Sequence, residues 1–203
     1  MPEGLFIIRA IIGGLLFAHG TQKLFGWYGG YGLDGTGGFF ESVGHKPGRT
    51  MAMVAGLSEA GGGLLLILGL FTPIGSAAII GTMIVASVSV HKDNGLWATN
   101  GGFELPLINA TVAAGLAFTG AGAWSLDSAL NTPWNRGWGV GLLAVCIAFL
   151  AAGAVLARRN TVLTGEGTST TEAYPETEAY PETDVAADPA TAKSADRADR
   201  VTS

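Results

Sequence analysis

The chain has 203 residues, 48% of them hydrophobic and 13% charged, with a net charge of −5 and one cysteine. Cys146 alone excludes an intramolecular disulfide, a CxxC redox pair and a cysteine-based zinc site, and so acidic a chain gives no reason to expect a nucleic-acid partner. Up to Ala157 the chain is apolar and glycine-rich, whereas 158–203 is polar and acidic, so the negative charge belongs to the tail.

Apolar runs of about 17–25 residues match the roughly 30 Å of a bilayer's hydrocarbon core. Several such runs make this an all-α integral membrane helical bundle. No basic residue precedes the first run and Arg9 interrupts it, so a retained helix is expected in place of a secretory signal.

The first span covers about 5–25 and stops at GWYGGYGLDGTGG, where glycines favour turns and Trp27 and Tyr28 suit the membrane interface. The following loop holds Asp34, Glu41, His45, Lys46 and Arg49; its Phe39 and Phe40 suggest a short interfacial helix, and His45 is read as a loop histidine. The second span, about 51–71, contains Glu59 and the small series Ala52, Gly56, Ala60 and Gly63, which allows close helix approach and predicts a central position. FTP at 71–73 makes a short turn with Pro73 in the first turn of the third span, about 74–90, which ends at His91. The fourth span, about 103–119, opens with Glu104 and is followed by Trp124 at an interface position. A fifth span, about 138–157, is expected to stop at Arg158 and Arg159. Beyond it, EAYPET occurs at 172–177 and again at 178–183, in a composition that predicts disorder.

Three domains are therefore expected: a four-helix membrane core at 1–128, a linker and fifth span at 129–157, and a disordered acidic tail at 158–203. Five crossings place Lys23, Lys46, Arg49, Lys92, Arg158 and Arg159 on one side and Arg136 on the other. The excess of basic residues predicts an outside N-terminus and a cytoplasmic tail.

The unusual stretch is RAIIGGLLFAHGTQKLFG at 9–26. At roughly 100° per residue, Arg9, Ile12, Leu16, His19 and Lys23 share an arc of about 80°. An ionisable group at membrane depth costs roughly 2.5–3.5 kcal/mol on insertion scales, so these residues need partners on other helices. The weave brings His19, Lys23, His91 and Glu104 to one membrane surface, with Glu59 below them and Arg9 deeper still. An ion pair between Arg9 and Glu59 is expected, under a cluster of the other four. Such groups can simply satisfy one another and fix helix register. Converging at one end, they can equally serve proton transfer, a quinone head group or a metal. Bis-histidine haem ligation by His19 and His91 is disfavoured, because nothing else in the sequence asks for haem.

HGTQKLFG at 19–26, EAGGGLLLILGLFTPIGSAA at 59–78, VSVH ending at His91, GGFELPL at 101–107 and WSLD at 124–127 closely resemble the DoxX family. The resemblance runs over about 5–128. It implies a small bacterial plasma-membrane protein with a four-helix core and a redox-linked role. One branch of the family is the small subunit of a thiosulfate:quinone oxidoreductase, and others associate with oxidative-stress and thiol-redox complexes. The matching polar positions are His19, Gln22, Lys23, Glu59, His91 and Glu104. The fifth span and the repeat tail lie outside the resemblance, and nothing specifically matches a thiosulfate-oxidising subunit. The expected function is an auxiliary subunit of a redox complex, with oxidoreductase partners and a quinone contact. A proton-coupled transporter and an assembly scaffold acting through the tail are the alternatives.

Overall fold

The computed structural model describes residues 2–134 and 137–169, which form one compact helical unit. Its elements are α1 (Pro2–Phe25), α2 (Gly32–Ser42), α3 (Gly48–Leu68), α4 (Thr72–Ala86), α5 (Glu104–Thr119), the short α6 (Leu126–Ala129) and α7 (Trp138–Ser169). A π-helical turn, Ser87–His91, extends α4. Among the described residues there is no strand.

Four helical stretches are long and apolar enough to cross a membrane: Pro2–Phe25, Gly48–Leu68, Thr72–Asn94 and Trp138–Gly165. The expected fourth span, α5, has 16 residues and is about 24 Å long at 1.5 Å per residue, less than the full hydrocarbon thickness. The outward faces carry Ile11, Leu57, Ile74, Leu143 and Leu150, all exposed. So much exposed aliphatic surface is costly in water and suits lipid.

Close packing of α1 on α3 organises the bundle. A Cβ on Gly13 would lie 2.6 Å from Gly63 O, and one on Gly63 would lie 2.5 Å from Gly13 O. Gly20 meets the backbone of Gly56 and Ala60 in the same way. Small residues on both helices thus permit backbone contact, as the series in the second span predicts. Leu16, Leu66, Ile79, Ile80, Met83, Ala113, Leu116 and Ala148 fill the centre.

One expected helix end is corrected. The chain does not leave the helix at Arg158, because α7 continues to Ser169. Arginine is a good helix former, no proline follows at once, and Arg159 Nε donates to Val43 O at 2.6 Å. Four residues on, Leu163 lies over Gly44, so the extra turns have a surface to pack against. α7 packs on α4 and α5 within the same unit. The EAYPET repeat and the rest of the acidic tail from 170 lie outside the described residues, as does Arg136.

A polar pocket under α2 and a charge lock at the other end

α2 comes from the segment after the first span. Its glycines let it lie against the start of α3: a Cβ on Gly37 would sit 3.0 Å from Arg49 Cα. Glu41 Oε1 accepts from Gly48 N at 2.9 Å and so satisfies an open amide at the N-terminus of α3. Arg49 and Asp34 add an exposed ion pair at 2.9 Å.

Between α1 and α2 lies a pocket of about 560 Å³ lined by His19, Gln22, Lys23, Tyr31, Thr36, Phe39 and Phe40, with Gly29, Gly30 and Gly35. Lys23 Nζ donates to Glu59 Oε2, joining α1 to α3. The Glu59 side chain is 4% exposed and that of Lys23 is 23% exposed, so the lysine carries the buried carboxylate's partnership to the pocket. Gln22 Nε2 donates to Tyr28 O at 3.3 Å. His19 is exposed, because it sits at the edge of the face along which Arg9, Gly13, Leu16 and Gly20 are buried.

The other expected members stand apart from this pocket. His91 Nδ1 is 2.7 Å from Gly101 O, and Glu104 Oε2 accepts from Ala98 N at 2.9 Å. Both brace the loop between α4 and α5, which Phe103 N to Gly95 O and Glu104 N to Leu96 O also close. The six-residue cluster is therefore two groups: His19, Gln22, Lys23 and Glu59 around the pocket, and His91 and Glu104 on the loop.

Nor does Arg9 pair with Glu59. Arg9 is fully buried, and its Nη1 donates to Leu66 O at 3.0 Å while Nη2 donates to Trp124 O at 2.5 Å. Leu66 is in the last turn of α3, where carbonyls lack helical partners and the helix dipole favours a cation. Glu59 lies about two turns back along α3, where Lys23 from the opposite end of α1 meets it.

The carboxylate acting electrostatically on Arg9 is Asp127, which is itself fully buried. It accepts from Phe71 N and Thr72 N at 3.0 Å each and from Thr72 Oγ1 at 2.9 Å, capping α4. Its own N–H donates to Gly69 O at 2.8 Å. The FTP turn is thus held by a cation on the end of one helix and an anion on the start of the next. WSLD supplies both Trp124 O and Asp127, a role the interface reading of Trp124 misses. A tryptophan's side chain advertises an interface, whereas here its carbonyl makes the contact.

His45, read as a loop residue, is buried at 5% exposure and bonds Ser89 Oγ through Nε2 at 2.8 Å. Burial, and then the charge of Arg159, holds its imidazole below the ordinary histidine range. No periodic pattern marks it, because the contact joins a loop to the π-helical turn 44 residues away.

The DoxX family model matches residues 4–92, a region that holds α1 to α4 and the whole Lys23–Glu59 pocket. An uncharacterized protein of Haemophilus influenzae is 32% identical over 130 residues, covering 63% of this chain and 90% of that protein. Inner membrane protein YqjF of Escherichia coli is 31% identical over 134 residues, covering 64% and 95% respectively. No solved structure matches the chain. With its membrane-length helices and a likeness spanning nearly the full length of both relatives, the chain belongs to the DoxX family.

Proposed function

We propose that this DoxX-family protein is an auxiliary subunit of a plasma-membrane redox complex, and that the pocket between α1 and α2 receives a quinone head group. The observation that carries this reading is the meeting of two chemistries in one volume of about 560 Å³. Tyr31, Phe39 and Phe40 offer flat apolar walls, and His19 and the Lys23 ammonium offer donors. Pockets of roughly 300–1,000 Å³ with few polar groups suit molecules of this size. A quinone has two carbonyl acceptors on a planar ring, so donors and aromatic walls both find a use. When bound, the quinone supplies the electron-accepting chemistry. The chain itself supplies orientation, through Lys23 held by Glu59, and an imidazole at His19.

The inner-membrane location of the Escherichia coli relative supports the plasma membrane as the site of action. The basic residues support an outside N-terminus and a cytoplasmic tail. Oxidoreductase partners would bring the redox centres.

The test is lipid extraction and optical spectroscopy of protein purified from native membranes, together with quenching of tryptophan and tyrosine emission by a short-chain quinone. Co-purified quinone and saturable quenching, both lost in Lys23→Ala with Tyr31→Ala, are expected. Non-saturating quenching equal in the two proteins would overturn the reading. A buried carboxylate paired with a part-exposed lysine also favours a second reading, a proton-coupled transporter. Uptake into vesicles that follows an imposed proton gradient and stops in Glu59→Gln would favour that one instead.

A further inference from the structure

On the far side of α3 a groove of about 160 Å³ runs between α3, α4 and α7. We propose that it binds an anionic phospholipid, with an acyl chain in the groove and the phosphate at Arg159.

The body of the groove offers little except hydrocarbon: Val54, Ala78, Val85, Ala152 and Val155 line it. The hydroxyls of Ser58 and Thr82 also line it, and that of Thr82 is already donated to Ala78 O at 2.9 Å. An engineered apolar cavity of about 150 Å³ admits benzene, so this volume takes a chain segment of roughly six carbons. One end is bordered by Phe40 and His45, whose rings lie 5.9 Å apart, and His45 is anchored to Ser89.

That end is the charged one. Arg159 reaches over it to bond Val43 O, and Arg158 beside it is exposed. Among the described residues no carboxylate pairs with either arginine. The nearby acids of α2 are occupied, Glu41 by Gly48 N and Asp34 by Arg49.

Depth agrees with charge. From Trp138 to Arg158 the helix rises about 30 Å, the hydrocarbon thickness, so an interfacial tryptophan at one surface puts the arginine pair at head-group level on the other. Basic residues at the mouth of a groove between spanning helices are where an anionic head group is favoured over a zwitterionic one.

The test uses the full chain in detergent micelles with spin-labelled phosphatidylglycerol or spin-labelled phosphatidylcholine, reading the motionally restricted fraction. Phosphatidylglycerol should be preferred by about fivefold, what one basic side chain near an anionic lipid contributes. Arg159→Gln should remove that preference. Arg159→Lys, which keeps the charge and loses the Nε bond to Val43, should retain it and so separates charge from docking of α7. Gly81→Leu, in the groove wall where Cβ has ordinary room, should lower retention of both lipids with thermal unfolding unchanged. Inorganic phosphate at millimolar concentration should leave the lipid signal intact. Equal retention of the two lipids, an unchanged preference in Arg159→Gln, or full displacement by inorganic phosphate would overturn the proposal.

Discussion

At one end of α1, Arg9 is fully buried and spends its bonds on main-chain carbonyls. About 21 Å along the same helix, Lys23 is part-exposed and bonds a carboxylate beside a pocket. Both cations sit in a spanning helix, and both are partnered. The difference lies in what surrounds them. The arginine end is closed, with its oxygens supplied by helix ends, whereas the lysine end keeps one face open to a volume that can hold a molecule. A cation that reads only backbone has a structural task; one that stands beside a pocket also faces a volume that can hold a molecule.

The largest expected effect breaks the closed end. Arg9→Leu leaves Trp124 O without the guanidinium donor, Leu66 O with Gly69 N alone, and Asp127 without a counter-charge. Breaking such a buried charged contact costs about 3–5 kcal/mol, to be read as loss of folded protein and a lower melting temperature. Exchanging the charges of Arg9 and Glu59 should give no rescue, because they are not partners. Next comes Lys23→Met, which strands Glu59 and should cost about 2–3 kcal/mol, less than Arg9 because water reaches the lysine. Adding Glu59→Leu should return stability to within about 1 kcal/mol of the parent by thermal unfolding, while the proposed quinone binding stays lost. That split between stability and binding would separate the two ends; failure of the double variant to recover would make them alike. Asp127→Asn keeps the shape but loses charge-assisted bonds to the start of α4, at about 1.5 kcal/mol.

The smallest effect concerns pH. His45 is held below its ordinary value, near 6.5, so the unfolded chain takes up the proton first as pH falls. Its neutral form therefore favours the fold fully above about 6.5, and that stability is lost as pH falls toward the folded value. His45→Gln should flatten the acid side of a stability profile, with under about 1 kcal/mol change at neutral pH. An unchanged acid limb would show that the burial of His45 has no bearing on acid stability.

Spans and small-residue contacts were legible because membranes impose length and close packing imposes spacing. Gly56 and Gly63 behave as their positions predict, and they meet Gly20 and Gly13 of α1, which the sequence reading did not single out. The pairing of Lys23 with Glu59 was half legible: both residues stand out as intramembrane charges, yet their union depends on the rotation of α1 against α3. A rotation of a few tens of degrees decides whether Glu59 faces Arg9 or Lys23, and an 80° arc cannot resolve it. The Arg9 and Asp127 contacts were illegible for a different reason, since carbonyls and amides carry no letter in a sequence. α2 was visible only as two phenylalanines among glycines, although it forms one wall of the pocket.

The closed end has one more consequence. Because Arg9 and Asp127 address carbonyls and amides, they recognise a path of the chain and are indifferent to the side chains along it. Leu66 and Ile67 are bound through their carbonyls and Phe71 through its amide, so none of the three side chains is part of what is bound. Gly69 is the exception, since it stands at φ 60° and a Cβ there would meet the guanidinium of Arg9. What the two charges hold is therefore the bend itself, fixed by main-chain groups and by the glycine at 69.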